Sequence, residues 1–178
     1  MQKMDRSGGE RFFAAPWGRL LKGTSIGATL LLLGVAGLLF YGNVAPLMAV
    51  LLLLMPGICA LFIVRGYTVG LSEIRVHRPC WDTRIALRQI HSISQEPEAM
   101  KRSIRVAGNG GLYSFTGYYW SRKLGLFHAY VNDLARCVVV RTAERTCVFS
   151  PDHPGAFVSL LNERGQALGW SNVEQRVP

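Results

Sequence analysis

From Gly23 to Val64 the sequence has no Asp, Glu, Lys, Arg or His, and Lys22 and Arg65 close that interval. A gap of this kind excludes a water-facing segment and reads as membrane-embedded. It also excludes conduction or transport through these residues, which calls for polar or ionisable groups at membrane depth. Other absences narrow the chemistry. Cys59, Cys80, Cys137 and Cys147 form no Cys-x-x-Cys pair or other metal spacing, and they read as small buried hydrophobes in a reducing compartment. A hairpin turning at Ala143-Glu144-Arg145 does not set Cys137 opposite Cys147, so no disulfide is expected there. Gly108-Asn109-Gly110-Gly111 lacks the Gly-Lys-Ser/Thr ending of a P-loop and opens no helix. It reads as a tight turn that needs positive φ. His77, His91, His128 and His153 have no metal-ligand spacing, and neither a nucleophile elbow nor a cysteine-nucleophile signature is present. No catalytic, cofactor-binding or metal-binding residues are therefore assigned.

What is present is apolar and basic. The chain is 49% hydrophobic and carries 20 Lys and Arg against 11 Asp and Glu. One helix over the uncharged interval would be ~63 Å long, about twice the ~30 Å hydrocarbon core, so two spans fit where one does not. Gly42-Asn43 favours a turn and Pro46 suits the first turn of a new helix, which places the spans near 24–40 and 44–64. A cleaved signal peptide is a poorer reading, because the first apolar run is too long and a second follows at once. Pro56-Gly57 reads as a packing kink, and the glycines at 23, 27, 34 and 37 as places where helices approach closely. Lys3, Arg6, Arg11, Arg19 and Lys22 precede the first span, and Arg65, Arg75 and Arg78 follow the second. The positive-inside rule then predicts an inner-membrane protein with both termini cytoplasmic and the connecting loop outside, with Phe40 and Tyr41 at an interface.

Residues 1–22 form a basic N-terminal segment whose first 18 positions show no sustained period and read as flexible or surface-lying. After Arg65 the pattern changes to short strands. Residues 66–70, 73–78, 83–87 and 90–93 alternate, with Ile74, Val76, Ile85, Leu87, Ile90 and Ile93 inward. Residues 95–111 are polar and irregular and read as a long loop with a turn of helix. Strands follow at 113–120 and 126–131, then a hairpin of 137–141 with 146–149, making about seven strands in all. Asp152 as N-cap and Pro154 in the first turn predict a closing helix with Phe157, Leu160 and Leu161 buried and Gly165 as its stop. Residues 166–178 read as a loosely held tail.

Five segments carry a resemblance. They are Gly66-Tyr67-x-Val69, Ile85-x-Leu87-x-x-Ile90, Gly108-Asn109-Gly110-Gly111, Leu124-Gly125-x-Phe127-x-Ala129-Tyr130-Val131 and Ser150-Pro151-Asp152-x-Pro154-x-x-Phe157. In their order and spacing the chain resembles the bacterial membrane-anchored pleckstrin-homology-like family, over most of residues 65–163. The resemblance implies a mainly-β, PH-like split barrel capped by a C-terminal α-helix (65–165), joined to the two-helix transmembrane hairpin read from the uncharged interval (23–64). It implies a scaffold that binds lipids or proteins and no reaction. The Arg-rich stretch from Met100 to Arg105 and the tail after Gly165 do not map onto the family.

Lys101, Arg102, Arg105, Arg122 and Lys123 are the candidate contacts for lipid headgroups or an acidic partner. Membrane attachment would hold them near an anionic leaflet, where each basic residue gains ~1 kcal/mol. Nucleic acid is not expected, because the anchor already accounts for the charge. The expected function is a membrane-anchored, non-enzymatic interaction module with membrane lipids, and possible membrane or cytoplasmic proteins, as partners. Two alternatives stand beside it: an accessory subunit that engages a larger membrane complex through the hairpin, and a membrane enzyme acting through His128 or Cys137.

Overall fold

A computed structural model describes residues 9–170. The uncharged interval folds as two helices, α1 (Arg19–Tyr41) and α2 (Pro46–Ala60). Gly42 and Asn43 turn the chain between them, with Asn43 at φ 51°. Pro46 opens α2 within its first turn, where its missing N–H costs nothing. With 23 residues, α1 spans roughly 34 Å and is long and apolar enough to cross a membrane. At 15 residues α2 reaches only about 22 Å, short of the span expected over 44–64. The reason is tertiary. Beyond Ala60 the chain tightens into i→i−3 bonds, from Leu61 N to Ile58 O through Ile63 N to Ala60 O. Val64 O then takes a hydrogen bond from the Asn132 side chain, and Arg65 N bonds His77 O.

The remaining strands form two sheets. In the first, β1 (Arg11–Ala14), β2 (Gly66–Val69), β3 (Glu73–His77) and β4 (Asp82–Ala86) lie antiparallel in sequence order. The second contains β5 (Ile90–Gln95), β6 (Ile104–Gly110), β7 (Phe115–Ser121), β8 (Gly125–Val131), β9 (Val138–Thr142) and β10 (Thr146–Phe149). Its order is β5-β9-β10-β8-β7-β6, with β10 parallel to β8 and every other neighbour antiparallel. The inner faces of the two sheets and α3 (Pro154–Ala167) enclose one core, built on Tyr67, Ile74, Val76, Tyr130, Phe149 and Phe157. A smaller core lies behind the larger sheet, where Ala99 and Met100 cover Tyr119, Phe127, Val139 and Val148. Mainly-β sheets closed by a C-terminal helix fit a PH-like domain.

Several expectations need correction. Residues 11–14 are not loose; they add β1 to the edge of β2, because Phe13 finds a buried place beside Phe157 at a ring separation of 5.1 Å. The rest of the N-terminal segment, residues 1–8, lies outside the described residues. The expected loop over 95–111 contains the seven-residue strand β6. No alternation marks it in the sequence, since neither face of β6 is buried. With β6 added to the eight segments read as about seven strands, nine strands follow Arg65 among the described residues. The N-cap of α3 is His153, while Asp152 accepts from His153 N instead of capping the helix. Gly165 does not stop α3. It lies within the helix because the Trp170 ring packs on it where a Cβ would sit, and Gly169 at φ 81° turns the chain afterwards. The tail is thus held as far as Trp170, and 171–178 lie outside the described residues. Cys137 and Cys147 are buried as expected and Cys147 lies opposite Val140, but Cys80 is exposed and Cys59 half-buried.

Candidate lipid-facing groove

Asn132 joins the two parts of the molecule. Its buried Nδ2 donates to Ala15 O (3.0 Å) and Val64 O (2.6 Å), the segments that lead into α1 and out of α2. Its backbone N–H donates to Ser150 Oγ at 2.8 Å. Both ends of the helical hairpin are thereby tied to one asparagine of the β-domain.

A second attachment comes from the β6–β7 hairpin. Gly108 and Gly117 face each other across it at φ 110° and 126°, and a Cβ on either would lie 2.7 Å from the other's Cα. Only glycine fits that crossing. A bulge between Arg105 and Ala107 adds a bend nearby. Gly108 thus has the expected positive φ, but in a strand; the turn itself falls at Gly111–Ser114, where Gly111 has φ 106°. Asn109 braces the turn, its side chain donating to Leu112 O (2.5 Å) and accepting from Leu112 N (3.2 Å). The tip docks on α1 through three hydroxyls. Thr24 and Ser25 donate to Gly111 O at 3.1 and 3.3 Å, Ser25 Oγ accepts from Tyr113 N at 2.8 Å, and Thr29 Oγ1 lies 2.8 Å from Tyr113 OH.

Between this hairpin and α2 runs a groove of about 330 Å³. Met55, Ile58, Cys59 and Phe62 form its apolar wall, while Arg105 and Leu112 stand opposite. The Arg105 guanidinium lies over Gly110, whose missing side chain leaves it room, and at 3.5 Å from Gly108 O. Among the described residues it has no acidic partner. An unpaired cation beside an apolar trough suits a ligand with a negative head and an apolar tail.

The other candidate cations divide. Lys101 pairs with Glu98 at 2.9 Å and Lys123 with Glu96 at 2.7 Å. Burial alone would raise the Glu96 carboxyl, but hydrogen bonds from Lys123 and Ser94 outweigh it and hold the carboxylate below its usual range. The hydrogen bond from Lys101 does the same for Glu98. These two lysines are therefore largely neutralised. Arg102, at φ 57°, and Arg122 are exposed and have no ion-pair partner among the described residues. The groove was missed in the sequence because its walls are 43 residues or more apart along the chain, from Phe62 to Arg105. The available signal was the run from Val106 to Ser121, which has no Asp, Glu, Lys, Arg or His and is flanked by Arg105 and Arg122.

The residues of the enzyme alternative do not converge. His128 lies on the β8 face opposite to Phe127 and Ala129, whereas Cys137 belongs with those residues in the smaller core. Burial, aided by Arg145 and Arg78, pushes His128 down to about 4, so it is neutral at pH 7, stacked 4.5 Å from Tyr130. Burial, then the charge of Asp133, pushes Cys137 up to about 12, which leaves a thiol and no nucleophilic thiolate. His77 is half-buried, held by Thr68 (2.8 Å) and Asp82 (3.0 Å), and His91 is exposed. Among the described residues no group of three or more His, Cys, Asp or Glu is placed to hold a metal ion.

A family model described as a bacterial PH domain matches residues 65–165, which is more than half of the chain. Neither the curated proteins nor the solved structures gave a match. The matched region begins where α2 hands over to β2 and ends within α3. Order of strands, closing helix and family match agree: the chain belongs to the bacterial PH domain family.

Proposed function

We propose that this protein is a membrane-anchored interaction module at the cytoplasmic face, in which Arg105 holds an anionic lipid headgroup at the mouth of the α2–β6 groove. Domains of this family are generally binding modules without catalysis. In this reading both α1 and α2 cross the bilayer, with the Lys- and Arg-flanked ends inside. The absence of charge up to Val64 supports the second crossing. The observation that carries the lipid reading is Arg105 itself, a cation without an acidic partner facing the apolar wall of α2.

The test uses the full chain, because residues 65–178 alone would lack β1. The protein is purified in detergent with equal phosphatidylglycerol and phosphatidylcholine, and retained lipids are weighed by native mass spectrometry. Arg105→Gln is expected to lower phosphatidylglycerol retention roughly tenfold, the worth of one charge-assisted hydrogen bond of about 1.5 kcal/mol. Arg88→Gln, on an exposed turn, serves as control. Equal retention by Arg105→Gln and the unchanged chain would remove Arg105 from the site.

A further inference from the structure

We infer that the β6–β7 hairpin lowers its tip into the membrane, to the boundary of headgroups and hydrocarbon, so that the PH-like domain meets lipid through a β-hairpin beside the two helices. This inference rests on the membrane-anchored reading above. The first observation is depth. Lys22 is the last charge before the apolar part of α1, and Thr29, which bonds Tyr113 of the tip, lies seven residues further along the helix. That is about 10 Å past the charge that marks the surface. On α2 the groove facing the hairpin reaches Met55, ten residues before Arg65. Membrane that covers the apolar length of both helices must therefore also meet the tip.

The second observation is composition, independent of the docking. The hairpin has no Asp, Glu, Lys, Arg or His from Val106 to Ser121, while Arg105 and Arg122 stand at its two ends. This repeats, in a β-hairpin, the arrangement of Lys22 and Arg65 around the helices. Its exposed side chains are apolar or aromatic. Val106, Tyr118 and Trp120 are exposed at 61%, 44% and 42%. Such side chains are unfavourable toward water and suited to an interface, where Trp and Tyr collect.

The third observation is polar satisfaction, without which a turn in lipid is costly. Gly111 O receives the Thr24 and Ser25 hydroxyls, Tyr113 N is taken by Ser25, and Gly111 N donates to Ser114 O. Asn109 meets its needs on Leu112. Hydroxyls at the start of an apolar helix thus do for Gly111 O and Tyr113 N what water would do in solution, while the buried Ser114 hydroxyl is left without a partner.

Cysteine reactivity tests this in the full chain, in membranes sheared open so that reagent reaches both faces, with exposed Cys80 changed to Ser. Leu112→Cys places a thiol at the tip itself, where the fold leaves the side chain half-exposed. It is expected to react with a membrane-impermeant maleimide at least about tenfold more slowly than Arg88→Cys, since low dielectric disfavours the thiolate. Leu30→Cys, at 65% exposure on α1, reports the anchor itself. Fast labelling of Leu112→Cys with Leu30→Cys protected would overturn the dipping hairpin and leave the anchor standing. Fast labelling of Leu30→Cys would overturn both. Circular dichroism that matches the unchanged chain secures the fold of each variant.

Discussion

On α1 and α2 only Leu21, Ser25, Ala36 and Ala49 are buried, while Leu30, Leu31, Leu38, Leu47 and Leu51 face outward at half exposure or more. In the β-domain the reverse holds: Tyr67, Tyr130, Phe149 and Phe157 are enclosed almost completely. Both regions are rich in apolar side chains, but only the β-domain has a second layer to bury them against. Its apolar side chains are buried internally, whereas those of the helix pair stay largely exposed. The contrast also marks their coupling, since two polar attachments, Asn132 and the three hydroxyls of α1, hold the enclosed β-domain to the exposed helix pair.

The largest break in that comparison should come from Phe157→Ala. It removes a ring that packs on Phe13, Tyr67 and Phe149 and should cost the β-domain about 3–5 kcal/mol, read as a lower denaturation midpoint in detergent. Membrane retention, read by alkaline extraction, should not change. Leu51→Arg should do the opposite. At the centre of a span an arginine costs about 3 kcal/mol, so the protein should move toward the extractable fraction. Leu71→Arg, equally exposed but on the β2–β3 turn, should change stability by no more than about 0.5 kcal/mol. If the two arginines behaved alike, α2 would not be in lipid and the contrast would collapse.

Asn132→Ala probes the connection between the regions. It strips two buried carbonyls, Ala15 O and Val64 O, of their donor and should cost about 1–3 kcal/mol. Because those carbonyls lie at the base of the hairpin, protease cleavage near Ala15 and Val64 should rise before the core itself unfolds. Cleavage confined to the loops of the β-domain would show that Asn132 serves that domain alone.

Much of this was open to direct reading. The alternation of Glu73 to His77 fixes which residues turn inward, and Ile74 and Val76 are indeed buried. The stripe of Phe157, Leu160 and Leu161 places α3 on the core for the same reason, a period that matches the geometry of its element. The strands β1 and β6 escaped that reading because neither buries an alternate set of residues on a long enough run. β1 has four residues, and β6 is exposed on both faces. Of the five candidate cations, local sequence could not separate those paired with Glu96 and Glu98 from those left unpaired.

By itself the sequence determined the uncharged interval, the place of its turn, the buried faces of most strands and the closing helix. Each of these follows from hydrophobic period or charge within a short window. Only the tertiary structure decided where α2 ends, which arginine faces the apolar wall of that helix, and that the Gly108–Ser114 segment reaches α1. Those outcomes depend on contacts that span 43 residues from Phe62 to Arg105, 68 from Val64 to Asn132 and 88 from Ser25 to Tyr113, and no local pattern carries a contact of that span.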